Sequence, residues 1–173
     1  MSSTWDTLAK RLDQLKPAVA TFTICDDEAL RQELAAAKTD AAGADETLAN
    51  LGPDDEPHRP MFEQRAQQAR ARLTDVQKRF DKTAIVLRFR ALARADLEQL
   101  QRAHPATEQE EADGADFAMD SFAPALISAA SVDGMPADYA RQALDTWPAA
   151  DARALWQAAW SIQHTGRTDL GKG

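Results

Sequence analysis

The sequence predicts an α+β protein, mostly α, with a two-stranded antiparallel ribbon, an inserted antiparallel coiled-coil hairpin and a C-terminal helical domain. Three observations predict this fold. Apolar residues recur at alternating spacings of four and three in two matched runs, as they do in a coiled-coil seam. Short runs with a period of two bracket these seams and are typical of strands. Alanine-rich segments separated by proline and glycine then favour a series of short helices.

Residues 1–25 form the predicted N-terminal segment and first strand, and residues 26–82 the predicted hairpin. The strand is the alternating run from Ala20 to Ile24. The apolar seam of the hairpin contains Leu30, Leu34, Ala37, Ala41, Ala44, Leu48 and Leu51 on the first helix and Phe62, Ala66, Ala69, Leu73, Val76, Phe80 and Thr83 on the second. The linker GPDDEPHRP between the runs is too rich in proline and glycine to continue a helix, so the chain must turn back there.

Charged residues beside the seam predict the register of the hairpin. An antiparallel pair with Leu30 near Phe80 brings residues of opposite charge together, namely Glu33 with Arg79 and Asp40 with Arg72. Each exposed pair contributes only about 0.3–0.5 kcal/mol, so such pairs select the register more than they stabilise it. The opposite flank is expected to bring like charges together, namely Lys38 with Arg70 and Asp45 with Glu63. The same seams could also pair between two chains, so a homo-oligomer remains an alternative to a monomer.

Residues 83–167 form the predicted second strand and C-terminal helical domain, followed by a flexible tail at 168–173. The strand carries Ile85, Leu87 and Phe89 on one face, which needs a cover from the C-terminal half because an isolated ribbon is marginal in water. A helix over 93–103 is expected to end at His104-Pro105, and Thr107 with Glu110 predicts a capping box. Three more helices are expected: one capped by Asp120 or Ser121 with Pro124 in its first turn, and two opened by Pro136 and Pro148.

Composition and motifs exclude several classes of function. The 173 residues carry 20 Lys and Arg against 28 Asp and Glu, a net charge of −8, which argues against nucleic acid or anionic membrane as a partner. The lone Cys25 cannot close an internal disulfide, and one cysteine with three scattered histidines has no zinc-ligand spacing. No apolar run approaches the ~20 residues of a membrane span. Catalytic motifs are also missing, so we expect a soluble, non-enzymatic protein without metal or cofactor.

Four apolar residues of the C-terminal half are candidates for partner binding. Trp156 and Trp160 lie one helical turn apart and would anchor a partner helix if exposed. Phe122 and Leu126 lie on the apolar edge of the helix over 120–131. The alternative interpretation is that these residues belong to the core, where aromatic residues at helical spacing are commonly found.

Three motifs follow one another in the second half of the chain. His104 to Thr107 reads His-Pro-Ala-Thr at the end of a helix, Asp120 to Ile127 reads DSFAPALI, and Thr165-Gly166 follows the last helix. Together they resemble the tail assembly chaperones of long-tailed, siphovirus-type phages, especially those of actinobacterial hosts. The resemblance covers residues 83–173, and the front half looks like the family's more variable part. Relatives often carry cysteines where Ser128 to Ser131 stand here, so packing and not thiol chemistry is expected there.

The resemblance implies a non-enzymatic chaperone that binds the tape-measure protein during tail assembly and keeps it soluble. Such a protein acts in the host cytoplasm and is absent from the mature virion. The family commonly makes a second, longer product by ribosomal slippage, which would be a further partner. Leu170-Gly171-Lys172 encoded as CTG-GGA-AAG would contain a slippery heptamer. Two alternatives stay open: a minor structural component of the phage tail or connector, and a cellular coiled-coil adaptor.

Overall fold

The structure is a computed structural model that describes residues 4–166. Its elements are α1 (Thr4–Asp13), β1 (Val19–Ile24), α2 (Glu28–Ala49), a 3₁₀ helix (Pro53–His58), α3 (Arg59–Thr83), β2 (Ile85–Arg90), α4 (Arg94–Ala103), α5 (Glu108–Ala112), α6 (Met119–Ala130), α7 (Ala137–Thr146) and α8 (Ala149–His164). The predicted α+β class, mostly α with a two-stranded antiparallel ribbon, is confirmed. The predicted flexible tail at 168–173 and the slippage site lie outside the described residues.

The chain divides into two compact units. Among the described residues, the first unit contains 4–22 and 87–166, and the second is Thr23–Val86. The division cuts both strands, so each strand contributes residues to both units. In the part of the chain that the structure describes, no helix has both the length and the apolar content needed to cross a bilayer.

The second unit contains the helical hairpin. α2 begins at its N-cap Asp27, whose carboxylate accepts the backbone N–H of Leu30 at 2.9 Å. Of the predicted seam, Leu30, Leu34, Ala37, Ala41, Ala44, Ala66 and Val76 are buried, Leu48, Leu51, Phe62, Ala69, Leu73 and Phe80 are half-buried, and Thr83 is exposed. One apolar cluster joins Leu30, Leu34, Ala37 and Val76, with Leu73 and Phe80 packed against it. The two helices therefore meet along the seam that the 4,3 spacing predicts.

Ion pairs confirm the register of the hairpin on one flank. Arg79 lies 2.9 Å from Glu33, and Arg72 lies 3.3 Å from Asp40. On the other flank Arg70 pairs with Asp45 at 2.6 Å, a contact that was not predicted, while the approach of Lys38 to Arg70 and of Asp45 to Glu63 stays a prediction.

The two strands pair as an antiparallel ribbon whose burial varies along its length. At one end the backbone N–H of Ala91 donates to the carbonyl of Ala18 at 2.8 Å. Phe89 of β2 has no exposed surface, Leu87 is half-buried, and Ile85 is 62% exposed. The expectation that one cover extends over all three residues is therefore wrong for Ile85.

A short segment after α6 lies along the outer edge of β2. Ser131 forms an antiparallel bridge with Phe89, and the N–H of Val132 donates to the carbonyl of Arg88 at 2.8 Å. Asp133 accepts the backbone N–H of Arg88 at 2.8 Å and its guanidinium at 2.6 Å. The guanidinium and the N–H of Arg88 stabilise the carboxylate and hold the pKa of Asp133 below its usual range. We name Ser131–Asp133 the edge strap.

The capping box predicted for α5 is confirmed. The Thr107 side chain accepts the N–H of Glu110 at 3.3 Å, and the Glu110 carboxylate accepts the N–H of Thr107 at 2.8 Å. That backbone hydrogen bond and the Thr107 hydroxyl lower the pKa of Glu110. The predicted break at Asp113-Gly114 is also present, because Gly114 has a φ of 86°, a left-handed conformation that favours glycine.

The start of α6 differs from its prediction. Its N-cap is Ala118, which makes no capping hydrogen bond with its side chain, so the expectation of a cap at Asp120 or Ser121 is wrong. The helix begins instead with an apolar contact, because Phe117 before the cap packs on Phe122 in the helix with ring centroids 4.0 Å apart. This is the arrangement of a hydrophobic staple. The earlier start also places Pro124 in the second turn and not in the first.

Candidate partner-binding cleft

Three helices of the first unit, α6, α7 and α8, pack around a shared apolar core. The fully buried residues of this core are Phe122, Pro124, Leu126, Ile127 and Ala130 of α6, Ala140 and Ala143 of α7, and Leu155 and Ala159 of α8. Alanines at the contacts let the helix backbones approach closely, whereas the large side chains of α6 fill the space between them. Gln163 of α8 then ties this core to the end of β2, accepting the N–H of Leu92 at 2.8 Å and donating to the carbonyl of Arg90 at 3.1 Å.

An aromatic cluster of four rings fills one side of the core; it consists of Phe117, Phe122, Trp156 and Trp160. Trp156 and Trp160 stack with centroids 5.3 Å apart and an interplanar angle of 17°. Phe122 meets their edges at 6.1 and 6.0 Å, which is the edge-to-face geometry that aromatic quadrupoles prefer. His164 also contacts Trp160, with ring centroids 4.3 Å apart.

An open cleft of about 620 Å³ lies beside this cluster, between α6, α7 and α8. Its apolar lining consists of Met119, Ala123 and Pro124 of α6, Leu144 of α7, and Ala152 and Trp156 of α8. Charged side chains also line it: Asp120 on α6, Arg141 and Asp145 on α7, and Arg153 on α8. We name it the helical cleft. Its apolar lining and mixed charges suit an amphipathic peptide segment more than a small polar ligand.

The charges of the helical cleft stand out against the rest of the C-terminal half. Between residues 105 and 166 the sequence holds ten acidic residues and two basic ones, Arg141 and Arg153. Both arginines line the cleft, and both are exposed. The two arginines therefore lie beside an apolar surface together with Asp120 and Asp145, which favours a partner that presents charged groups of both signs next to apolar side chains.

The structure separates the four residues predicted to bind a partner. Trp156 is half-buried and lines the cleft, so its ring is available to a ligand there. Trp160 is half-buried within the aromatic cluster and does not line the cleft. Phe122 and Leu126 have no exposed surface, and proposing them as contact residues is wrong, since their side chains form the core that positions α6.

Arg141, Leu144 and Arg153 of the cleft were not identified from the sequence. The signal that points to the arginines is their isolation, because a basic residue is rare in so acidic a segment. Nothing in the sequence distinguishes Leu144 as a cleft residue, since it continues the apolar face of α7. Which charged residues share a cleft depends on how α7 packs against α6 and α8, and helical periodicity does not report this packing.

Among residues 4–166, no group of three or more His, Cys, Asp and Glu residues is placed to hold a metal ion. In comparisons with known proteins, no family model, no curated protein and no solved structure matches this chain.

Proposed function

We propose that this protein is a phage tail assembly chaperone that binds the tape-measure protein and keeps it soluble in the host cytoplasm, without enzymatic activity. The observation that carries the proposal is the helical cleft, which combines an apolar lining with both arginines of an acidic region. A tape-measure protein is long and helical, so its unassembled segments present amphipathic helices. The motif resemblance in residues 83–173 supports the same function.

In the proposed mechanism, a partner helix lays its apolar face against Met119, Leu144 and Trp156. Carboxylates on the flank of that helix pair with Arg141 and Arg153, which orient it in the cleft. The net charge of −8 on the chaperone keeps the complex in solution by repelling other complexes. Burial of the apolar face removes the surface through which tape-measure chains would otherwise aggregate.

Co-expression with the tape-measure protein of the same phage tests the proposal. We expect the tape-measure protein to move from the insoluble to the soluble fraction and to co-purify with this chain. A tape-measure protein that stays as insoluble as when it is expressed alone would contradict the chaperone function.

The double variant Arg141→Glu/Arg153→Glu tests the role of the cleft. Both side chains are exposed, so we expect the variant to fold and to bind the tape-measure protein at least about tenfold more weakly. The matched control is Lys78→Glu/Lys82→Glu, which reverses two exposed charges on α3 of the hairpin. Equal loss of binding in both variants would mean that net charge, and not the cleft, controls the interaction.

The alternative function is a minor structural component of the phage tail or connector. Mass spectrometry of purified particles separates the two functions, since we expect a chaperone to be missing from the mature virion.

The proposed longer product, a second partner, is tested by sequencing the gene. A codon choice without slippable bases at Leu170-Gly171-Lys172 would remove that proposal.

A further inference from the structure

Two aspartates of this chain are followed directly by glycine, at Asp113-Gly114 and at Asp133-Gly134. In both pairs the glycine adopts a left-handed backbone conformation, with φ of 86° and 77°. Glycine has no Cβ, so its backbone nitrogen is unhindered and its dihedral angles change easily. An aspartate side chain therefore reacts with the following backbone nitrogen more readily in an Asp-Gly pair than before any bulkier residue.

The reaction is an isomerisation in which water is the only other reactant. The backbone nitrogen of the glycine attacks Cγ of the aspartate and forms a C–N bond, while the carboxyl hydroxyl leaves as water with the amide proton. Water then opens the resulting succinimide ring at one of its two carbonyls. Attack at the former side-chain carbonyl restores aspartate, whereas attack at the former backbone carbonyl leaves the main chain running through the side chain, as isoaspartate.

The surroundings of Asp133 oppose this reaction. Arg88 binds both carboxylate oxygens, one through its backbone N–H at 2.8 Å and the other through its guanidinium at 2.6 Å. The backbone is fixed on both sides, since the N–H of Val132 donates to the carbonyl of Arg88 at 2.8 Å and that of Met135 to the hydroxyl of Ser131 at 3.0 Å. The bonds to Arg88 also hold the pKa of Asp133 below its usual range, and an ionised carboxylate is a poor electrophile. Ring closure at Asp133 thus requires the edge strap to open first.

Asp113 lies in a segment that opens more easily. It is the C-cap of α5, and both Asp113 and Gly114 are exposed. The N–H of Gly114 donates to the carbonyl of Glu111 at 3.0 Å and that of Asp113 to the carbonyl of Gln109 at 3.1 Å, so these bonds run only to α5 itself. α5 has five residues, none of them buried, and such a short exposed helix opens locally at little cost in free energy. Among residues 4–166 the Asp113 carboxylate has no hydrogen-bond or ion-pair partner.

We propose that Asp113-Gly114 is a site of spontaneous covalent modification, at which aspartate converts to isoaspartate in the folded protein, whereas the edge strap protects Asp133-Gly134. The modified chain keeps its mass and net charge but gains one methylene group in the main chain between α5 and α6. The proposal does not depend on the proposed function, because the reaction involves only water and the chain itself.

Incubation of the folded chain in heavy-oxygen water at neutral pH tests the proposal, because each ring opening places one heavy oxygen atom at the reacted residue. Digestion with chymotrypsin, which cuts after Phe117 and Phe122, then puts the two pairs on separate peptides for mass spectrometry. We expect label and isoaspartate to accumulate at Asp113 at least about tenfold faster than at Asp133, because hydrogen bonds to a charged group are among the stronger ones. No label at Asp113 in the folded chain, or equal rates at the two pairs, would overturn the proposal.

The same incubation in urea separates the effect of the fold from that of the local sequence. Unfolding removes the edge strap and α5 together, so we expect the rates at Asp113 and Asp133 to converge. Rates that keep their folded-state ratio in urea would assign the difference to the neighbouring residues and would overturn the protective role of the edge strap.

Variants identify the groups that set the two rates. Asp113→Glu should abolish the label at this position, because the larger ring closes far more slowly. Arg88→Met removes the guanidinium and should raise the rate at Asp133 at least about threefold, with the rate at Asp113 unchanged. The matched control is Arg94→Met, which removes an exposed guanidinium on α4 and should change neither rate. An unchanged rate at Asp133 in Arg88→Met would contradict protection by this side chain.

Discussion

Phe122 contacts the three other rings of the aromatic cluster, those of Phe117, Trp156 and Trp160, at centroid distances of 4.0, 6.1 and 6.0 Å, and the ring of His104 lies 6.3 Å from it. Its ring thus joins the segment before α6 to two successive turns of α8. Such aromatic pairs add about 0.5–1.5 kcal/mol each beyond the area that they bury. The cluster therefore sets the position of α8, and with it the position of Trp156 at the cleft.

Trp160 contributes to this cluster without lining the cleft, so it should affect stability more directly than binding. We expect Trp160→Ala to lower the free energy of unfolding by about 2–3 kcal/mol, somewhat less than for a fully buried tryptophan, because its ring is half-buried. Urea titration followed by circular dichroism measures this change. Tyr139→Ala on α7 is the control: that ring is 50% exposed, and a change as large as that of Trp160→Ala would contradict the assignment.

Asp133 predicts a pH-dependent contribution to stability. Its hydrogen bonds with Arg88 lower its pKa in the folded protein below the ordinary value of 3.8. The stabilisation is therefore complete above that value and is lost as the pH falls through the lowered pKa of the folded state. We expect Asp133→Asn to be less stable than the original chain at neutral pH, and the difference to shrink as the pH falls below 3.8.

Urea titrations at a series of pH values measure this difference. Asp116→Asn, at an exposed position before α6, is the control and should change the unfolding free energy little. A difference between Asp133→Asn and the original chain that stays constant from neutral to acid pH would show that the carboxylate charge is not what stabilises the edge strap.

At the scale of the helices and strands, the hairpin was the most predictable element. Leu30, Leu34 and Val76 repeat at coiled-coil spacing, and Glu33 meets Arg79 in the predicted register, because both patterns act between neighbouring turns. The entry of α6 was not predictable in the same way. The sequence offers polar caps at Asp120 and Ser121, but tertiary packing of Phe117 on Phe122 determines where the helix begins.

The close approach of α2 and α3 at Ala41 predicts a cost for a larger side chain. Ala41 is 4% exposed and lies between the two helices, so Ala41→Leu should destabilise the hairpin by about 1–3 kcal/mol through overpacking. Gly43 lies two residues away on the same helix, and a methyl group built there would meet no atom within 4 Å. Gly43→Ala is therefore the matched control and should stabilise the protein by about 0.5–1 kcal/mol.

Urea titration of both variants measures these opposite changes. If Ala41→Leu were as stable as the original chain, the two helices would have room between them at this position, and the seam would be looser than the structure describes. A destabilising Gly43→Ala would mean that its carbonyl, which accepts the hydroxyl of Thr47 at 2.8 Å, or the helix around it, is strained by the added methyl group.

At the scale of the whole molecule, the two units have different cores. The buried residues of the hairpin cluster are aliphatic, with Phe80 packed against them from its edge, and the cluster is complete within Thr23–Val86. The core of the first unit depends on aromatic rings and on the packing of α6, α7 and α8. The periodicity of single helices predicts the hairpin core, whereas the helical cleft arises only where three helices meet.

A peptide of residues 23–86 should therefore fold by itself. We expect it to show helical circular dichroism and a cooperative thermal transition, because its ion pairs and apolar cluster all lie within this range. The same peptide with Leu34→Asp, which places a charge in the seam, is the control and should lose most of its helicity. A disordered 23–86 peptide would show that the hairpin depends on the rest of the chain.

The edge strap has a consequence for how the ribbon behaves in a crowded cell. Exposed strand edges recruit strands from other molecules, and this recruitment is a common route to aggregation. Beside β2, Val132 and Asp133 already occupy the carbonyl and the N–H of Arg88, so a foreign strand finds neither group available at that residue. The strap thus protects the edge of β2 at Arg88: three residues occupy the hydrogen-bonding groups that an invading strand would need there, without a third full strand.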